Sequence, residues 1–238
     1  MSSSSNDNED WKKGGRPRNP NGPKDKSLDS RCSPSGFSKI MQEIVEKDLK
    51  MAEVIAMGFR DLEDMPNWTV KQELFLHLAS KFDLENNLIR DDVGMIDVNA
   101  SVIERAIGLP SYGYDFPNYA PTNNRFAALK LKWGHVTLAD LKAFVIECPM
   151  ESNEERSEFR EAFILLLAKS FLCPTTNNFI SPERHLPLVV YVANPRRYNW
   201  SLQIFSWIKD SIRDFQRKGI KHLSSCMLIL VVSNLRLF

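Results

Sequence analysis

Cysteine and histidine are the residues of this chain whose chemistry could support nucleophilic catalysis or metal binding. The cysteines are Cys32, Cys148, Cys173 and Cys226, and the histidines are His77, His135, His185 and His222. A cysteine nucleophile needs a nearby base, usually histidine. The candidate pairs combine Cys173 or Cys226 with His185 or His222. Because a free cysteine is most often simply buried, we expect Cys173 to be a small core residue at a helix end.

The same residues are a poor match to a metal site. Only His222 and Cys226 stand four residues apart, where one helix face could present both. A structural zinc site needs four ligands, and no second pair lies nearby in the sequence. The chain also lacks a C-x-x-C pair and a G-x-x-x-x-G-K phosphate loop. We therefore expect no metal, no cofactor, no small-molecule substrate and no catalytic activity in this chain.

Cationic residues are concentrated in the first 31 positions. The segment from Trp11 to Arg31 contains seven Lys/Arg and two Asp. Its run Lys12-Lys13-Gly14-Gly15-Arg16-Pro17-Arg18 resembles the core of an AT-hook, which inserts an extended Arg-Pro unit into the minor groove of A·T tracts. The match is partial, because Gly14 stands where the motif has arginine. The candidate nucleic-acid or nuclear-import contacts are Lys12, Lys13, Arg16, Arg18, Lys24, Lys26 and Arg31. DNA contact, a nuclear localisation signal and an inert linker all stay open.

Composition limits where the protein works. A formal net charge of +1 provides no global attraction to nucleic acid or to anionic membranes. The N-terminus has no apolar signal-peptide core, and the most apolar stretch, 226–232, is too short to span a bilayer. We expect an intracellular, nuclear protein with no membrane partner. Residues 1–33 are rich in serine, proline and asparagine, which predicts a disordered arm.

The patterning of residues 34–238 predicts a single, mainly α-helical domain. Apolar residues recur at helical spacing, and short hydrophobic pieces between Leu88 and Val98 favour one small β-hairpin. The helix 158–172 is apolar nearly all round, so we expect it at the centre. The predicted helices are 37–57, 69–82, a short helix capped by Asn99 or Ser101 that ends at Ile107, 137–148, 158–172, 198–218 and one from about 221.

The last two helices raise questions of partners. The final helix is apolar and uncapped at Phe238, so we expect a truncated fragment whose last helix needs a partner surface. Protein partners could bind through these C-terminal helices.

The helix before the last one carries an aromatic stripe, formed by Tyr198, Trp200, Trp207 and Phe215. Aromatic residues at this spacing are usually core, and a base-stacking platform would need exposed cations between them. Instead, we expect Asp210 to pair with Arg213, and Asp214 with Arg217 or Lys218.

Five short motifs occur in an order that resembles the plant mobile domain family. The motifs are Arg31-Cys32-Ser33-Pro34, Met57-Gly58-Phe59, VNASVIERAIGLP from Val98 to Pro110, AFILLLAKSFLCPT from Ala162 to Thr175, and Tyr198-Asn199-Trp200 through Gly219 with a following LSSCML segment. The family is transposon-derived and is also called aminotransferase-like, although nothing here marks a Schiff-base lysine. Similar modules lie upstream of SUMO-type cysteine proteases in plant genomes.

The resemblance implies a function that the residues alone do not. It predicts a transposon-derived, non-catalytic interaction or nucleic-acid-associated module. The alternative is the N-terminal regulatory part of a ubiquitin-like-specific (deSUMOylating) cysteine protease whose catalytic domain is missing from this chain. The family has no established catalytic residues, so it assigns none here.

Overall fold

The computed structural model describes residues 34–65, 71–91, 94–175, 177–219, 223 and 225–235. Within these ranges the protein is mainly helical, as the sequence predicts. Its helices are α1 (Pro34–Val45), α2 (Asp48–Ala56), α3 (Gln72–Lys81), α4 (Ala100–Ile107), α5 (Asn124–Trp133), α6 (Leu138–Glu147), α7 (Asn153–Leu167), α8 (Pro182–His185), α9 (Trp200–Lys218) and α10 (Leu228–Leu235). Short 3-10 turns cover Arg60–Leu62, Leu186–Leu188 and Pro195–Arg197.

Helix α7 is the centre of the core. Every residue from Ala162 to Leu167 is fully buried, which confirms the expectation from its all-round apolar pattern. The helix begins at Asn153, five residues before the predicted start. Ser152 and Glu155 cause the earlier start, because they form a reciprocal capping box. Its C-terminal end continues as a π-helical turn, Ala168–Leu172.

The first predicted helix is two helices in the structure. The chain breaks between α1 and α2, where Lys47 adopts an extended backbone conformation. The Lys47 ammonium donates to the carbonyl of Ile146 at 2.7 Å. The Lys50 ammonium donates to the carbonyls of Val145 at 2.9 Å and Ile146 at 2.6 Å. Two lysines therefore satisfy the free carbonyls at the C-terminus of α6, and burial lowers the pKa of Lys50.

The predicted hairpin is present and carries a third strand. Strand β2 (Leu88–Asp91) pairs antiparallel with β3 (Gly94–Asp97), in a register that sets Ile89 opposite Ile96. The two-residue strand β1 (Phe82–Asp83) pairs antiparallel with β2 on the other side, with Phe82 opposite Ile89. Ile89 and Phe82 are buried, so the sheet covers one edge of the helical core.

Two buried glutamates join the outer helices to α7. Glu161 on α7 accepts from Arg125 Nη2 at 2.6 Å, from Lys132 Nζ at 3.0 Å and from the Trp133 indole N–H at 2.9 Å. Glu53 on α2 accepts from Arg160 Nε at 2.6 Å. A buried carboxylate is tolerated only when such charge-assisted hydrogen bonds satisfy it. These contacts hold α5 and α2 in place against α7.

The apolar residues 228–232 of α10 are buried, which corrects the expectation that the last helix lacks a partner surface. Residues 228–232 are at most 7% exposed, and α10 packs against α4 and α3. The partner surface is therefore supplied by helices of this same chain. Among the described residues, no helix has the length and apolar character needed to cross a bilayer.

Candidate functional site

The structure brings together one of the candidate cysteine–histidine pairs, Cys173 and His185. The histidine ring contacts the backbone carbonyl of Cys173 and not its thiol. His185 Nε2 lies 3.0 Å from the carbonyl oxygen of Cys173, and the Ser181 N–H donates to His185 Nδ1 at 3.1 Å. A carbonyl can only accept, so Nε2 carries the proton and Nδ1 is the acceptor. Both ring nitrogens are thus occupied by backbone groups. His185 ties the start of α8 to the end of the π-helical turn.

The electrostatics of this pair are those of a structural site. Burial lowers the pKa of His185 to about 4, which keeps the imidazole neutral. Burial also raises the pKa of the Cys173 thiol, although Arg184 donates to its sulfur at 3.5 Å. A thiol whose ionisation is disfavoured is a weak nucleophile. The expectation that Cys173 is a buried residue at a helix end is confirmed, since the residue is fully buried.

The other candidate pair falls partly outside the structure. His222 lies outside the described residues, and Cys226 is fully buried in the segment that connects α9 to α10. Across the described ranges, no group of three or more histidine, cysteine or acidic side chains could hold a metal ion. The cationic candidates Lys12, Lys13, Arg16, Arg18, Lys24, Lys26 and Arg31 also lie outside the described residues.

The two tryptophans of the aromatic stripe are core residues, as predicted. Trp200 is fully buried and Trp207 is 6% exposed, while Phe215 and Tyr198 are half-buried. On the solvated face Arg213 pairs with Asp210 at 2.5 Å, and Lys218 pairs with Asp214 at 2.7 Å. The predicted charge compensation on this helix is therefore confirmed.

A cavity of about 510 Å³ lies where two of the sequence motifs meet. Ile107 and Gly108 from the end of α4 line it together with Phe171 from the π-helical turn. Gly108 adopts the left-handed conformation, with φ of +70°, and a Cβ at this position would collide with the Asp61 side chain. The motif thus needs glycine for both its backbone angle and the close approach of Asp61. Three acidic side chains, Asp61, Asp64 and Glu104, line the cavity together with one basic side chain, Arg105.

The most distinctive surface is built from two loops, 111–120 and 189–198, that contact each other. The Tyr114 N–H donates to the carbonyl of Arg197 at 2.7 Å, and the Asn199 N–H donates to the carbonyl of Tyr114 at 2.9 Å. The Asn199 amide also donates to the carbonyl of Ser111 at 2.9 Å. Below them, the buried Ser201 hydroxyl donates to the carbonyl of Leu109 at 2.7 Å. The IGLP and YNW motifs are thus one locked structural unit.

Five side chains of these loops and of α5 form what we call the tyrosine–arginine surface: Tyr114, Tyr191, Tyr198, Arg125 and Arg197. All but Tyr114 line a groove of about 410 Å³, and the rest of its lining is Ser157, Val190, Val192, Ala193 and Asn194. The Tyr191 and Tyr198 rings are parallel within 3°, with centroids 6.2 Å apart. Phe116 stacks on Tyr198 at 4.8 Å and meets the core Trp200 edge-on. An aromatic column therefore runs from the core to solvent.

Sequence reasoning missed this surface, although the chain carries a signal for it. All five tyrosines lie in loops 111–120 and 189–198. Three of them are exposed, at 65% for Tyr112, 68% for Tyr114 and 57% for Tyr191. Burial raises the pKa of Tyr198, which Tyr191 also raises and Arg197 lowers. Tyrosine combines an apolar ring with a polar tip and is enriched at binding surfaces. The arrangement can stack on planar groups and bind anions.

Comparison with known proteins places the chain by family alone. No curated protein and no solved structure gives a significant match. One family model matches residues 30–231, a stretch that includes both loops of the tyrosine–arginine surface and nearly all of the helical core. The chain therefore belongs to the family described as Domain of unknown function (DUF8566).

Proposed function

We propose that this protein is a non-catalytic, nucleic-acid-associated binding module that works in the nucleus, as the resemblance to transposon-derived plant mobile domains implies. The tyrosine–arginine surface is the observation that carries the proposal. It presents aromatic faces and guanidinium groups on two hydrogen-bonded loops and on α5, and such a combination is typical of binding surfaces. The buried, backbone-bonded Cys173–His185 pair supports the non-catalytic part of the proposal.

We propose that the basic arm is a second region of this protein that contacts nucleic acid. Its seven cations between Trp11 and Arg31 would neutralise phosphates, and the Arg16-Pro17-Arg18 unit would enter the minor groove of A·T-rich duplex. Binding by so few cations is driven by counterion release, so it should weaken steeply with salt. The same cations would serve a nuclear import signal.

We also propose that protein partners bind through the C-terminal helices, but through α9 alone. The buried residues 228–232 of α10 are not available to a partner. The outer face of α9, which carries Lys209, Arg213 and Lys218, is partly exposed and remains the surface to test. The alternative function, the regulatory part of a cysteine protease, would be decided by reading the genomic sequence downstream of this chain.

The test of the arm uses the full chain and two matched double variants. Arg16→Ala with Arg18→Ala removes the proposed minor-groove unit, and Lys24→Ala with Lys26→Ala removes the same charge elsewhere in the arm. In a mobility-shift assay on A·T-rich duplex at low salt, we expect the arginine variant to lose the shift and the lysine variant to weaken it. No shift from the intact chain would remove duplex binding from the proposal.

A further inference from the structure

The distribution of aromatic residues separates the core from one surface. The described tryptophans Trp133, Trp200 and Trp207 are at most 6% exposed, and the largest fully buried side chains include five phenylalanines. The tyrosines Tyr112, Tyr114 and Tyr191 are instead more than half exposed. Large aromatic side chains bury well and are rarely left in water in a group. Their concentration in two adjoining loops is typical of a binding surface.

The loops that carry these tyrosines are held rigid. Gly113 has φ of +109°, and a Cβ there would collide with the backbone of Arg197, so the two loops pack backbone against backbone. Arg196 donates to the carbonyl of Ile55 at 2.9 Å and anchors the second loop to α2. The Trp200 indole N–H donates to the carbonyl of Pro195 at 3.0 Å. A surface that is already ordered loses little conformational entropy when it binds a ligand.

The charges of the groove favour an anionic ligand. Loop 189–198 contains two arginines and no acidic residue, and loop 111–120 contains one aspartate, Asp115. Within the described part of the chain, the Arg197 guanidinium pairs with no carboxylate. Arg125 uses Nη2 for Glu161, and its side chain remains 48% exposed. Two guanidinium groups therefore border parallel aromatic rings.

We propose that the groove of the tyrosine–arginine surface binds single-stranded nucleic acid, an inference that deepens the proposed function and rests on it. Unpaired bases would stack on Tyr191 and Tyr114, and the phosphates would contact Arg197 and Arg125. Stacking on aromatic side chains along a cationic groove is the physical basis of single-strand binding. A duplex cannot use this surface, since its bases are already stacked. A proline-rich peptide would use the rings but would have no use for the guanidinium groups.

The test measures the anisotropy of labelled dT15 and rU15 oligonucleotides with the full chain and its variants. Tyr191→Ala should weaken binding roughly 5- to 150-fold, while Tyr191→Phe keeps the stacking ring and should stay within about 2-fold. Arg197→Ala should weaken binding and lower the slope of log K against log salt by about 0.7. Lys218→Ala removes one exposed charge far from the groove and is the matched control. Comparison of the two oligonucleotides with uridine monophosphate separates DNA, RNA and free nucleotide.

The outcomes distinguish this site from the basic arm. We expect the Arg16→Ala, Arg18→Ala variant to lose duplex binding and keep most single-strand binding, and Tyr191→Ala to show the reverse. Absence of duplex binding by the intact chain, with single-strand binding present, would contradict the arm proposal and leave the groove proposal standing. Wild-type affinity of Tyr191→Ala and Arg197→Ala for both oligonucleotides would overturn the groove proposal. Competition of a proline-rich peptide for Tyr191, with no oligonucleotide binding, would overturn it in favour of a peptide site.

Discussion

Protonation of His185 should destabilise this protein. In the folded state the neutral ring accepts the Ser181 N–H at Nδ1 and directs its Nε2 proton to the Cys173 carbonyl, 3.0 Å away. A second proton would sit on Nδ1, facing the Ser181 N–H in a fully buried site. Burial is the main reason that the pKa of His185 falls to about 4.

The size and sign of the effect follow from linkage. In the unfolded chain His185 has its ordinary pKa of about 6.5, so the unfolded state takes up a proton before the folded state does. Stability is therefore complete above about pH 6.5 and falls as the pH approaches 4. At pH 5 the loss relative to pH 8 is about 2 kcal/mol, or about 4–8 °C in melting temperature.

The assay is urea unfolding at several pH values between 5 and 8, followed by tryptophan fluorescence. His185→Asn is the comparison, because its side-chain oxygen can accept the Ser181 N–H and it cannot titrate. The variant should be less stable at pH 8 and show a smaller fall toward pH 5. Carboxylates such as Asp83, whose pKa is lowered to about 2 mainly by hydrogen bonds from Asn86, lose their stabilisation only below about pH 4. The prediction would be refuted if the two proteins showed parallel profiles of unfolding free energy against pH. It would also be refuted if the resonance assigned to the His185 imidazole titrated near pH 6.5.

Further predictions concern single contacts and are measured by chemical denaturation. Glu161→Ala leaves the Trp133 indole N–H buried without its acceptor and should cost about 3 kcal/mol. In a double-mutant cycle with Trp133→Phe, a coupling energy near zero would contradict this account. Gly108→Ala should cost about 2 kcal/mol, because its positive φ and the Asp61 side chain both oppose a Cβ. Gly219→Ala, with φ of +61° and no atom within 4 Å, should cost only about 1 kcal/mol; equal losses would argue against the collision at Gly108.

The sequence predicts those elements whose causes are local. The all-round apolar pattern of α7 and the left-handed glycines Gly108 and Gly219 can be read directly from neighbouring residues. The Ser152–Glu155 capping box is also visible in the sequence, and it explains why α7 begins earlier than its apolar residues indicate. Such signals lie within one turn of the element that they control, so no knowledge of packing is needed.

Other features depend on contacts between distant residues and could not be predicted. The break before α2 coincides with lysine contacts to residues 145–146, about 100 positions away. The strand Phe82–Asp83 is too short to have a pattern of its own and exists because β2 lies beside it. The tyrosine–arginine surface could be predicted only in part, since the sequence shows that the tyrosines cluster in two segments. That the two loops meet is known only from the fold.

The bonds between Tyr114 and residues 197–199 also constrain how this protein can change over evolution. Exposed loops usually accept insertions and deletions, because little depends on their length. Here two backbone hydrogen bonds define which residue of one loop faces which residue of the other. In extended chain, a shift of one residue turns the side chain to the opposite face. One inserted residue before Tyr114 would therefore redirect its ring, so these loops should keep their lengths as strictly as a core helix keeps its apolar positions.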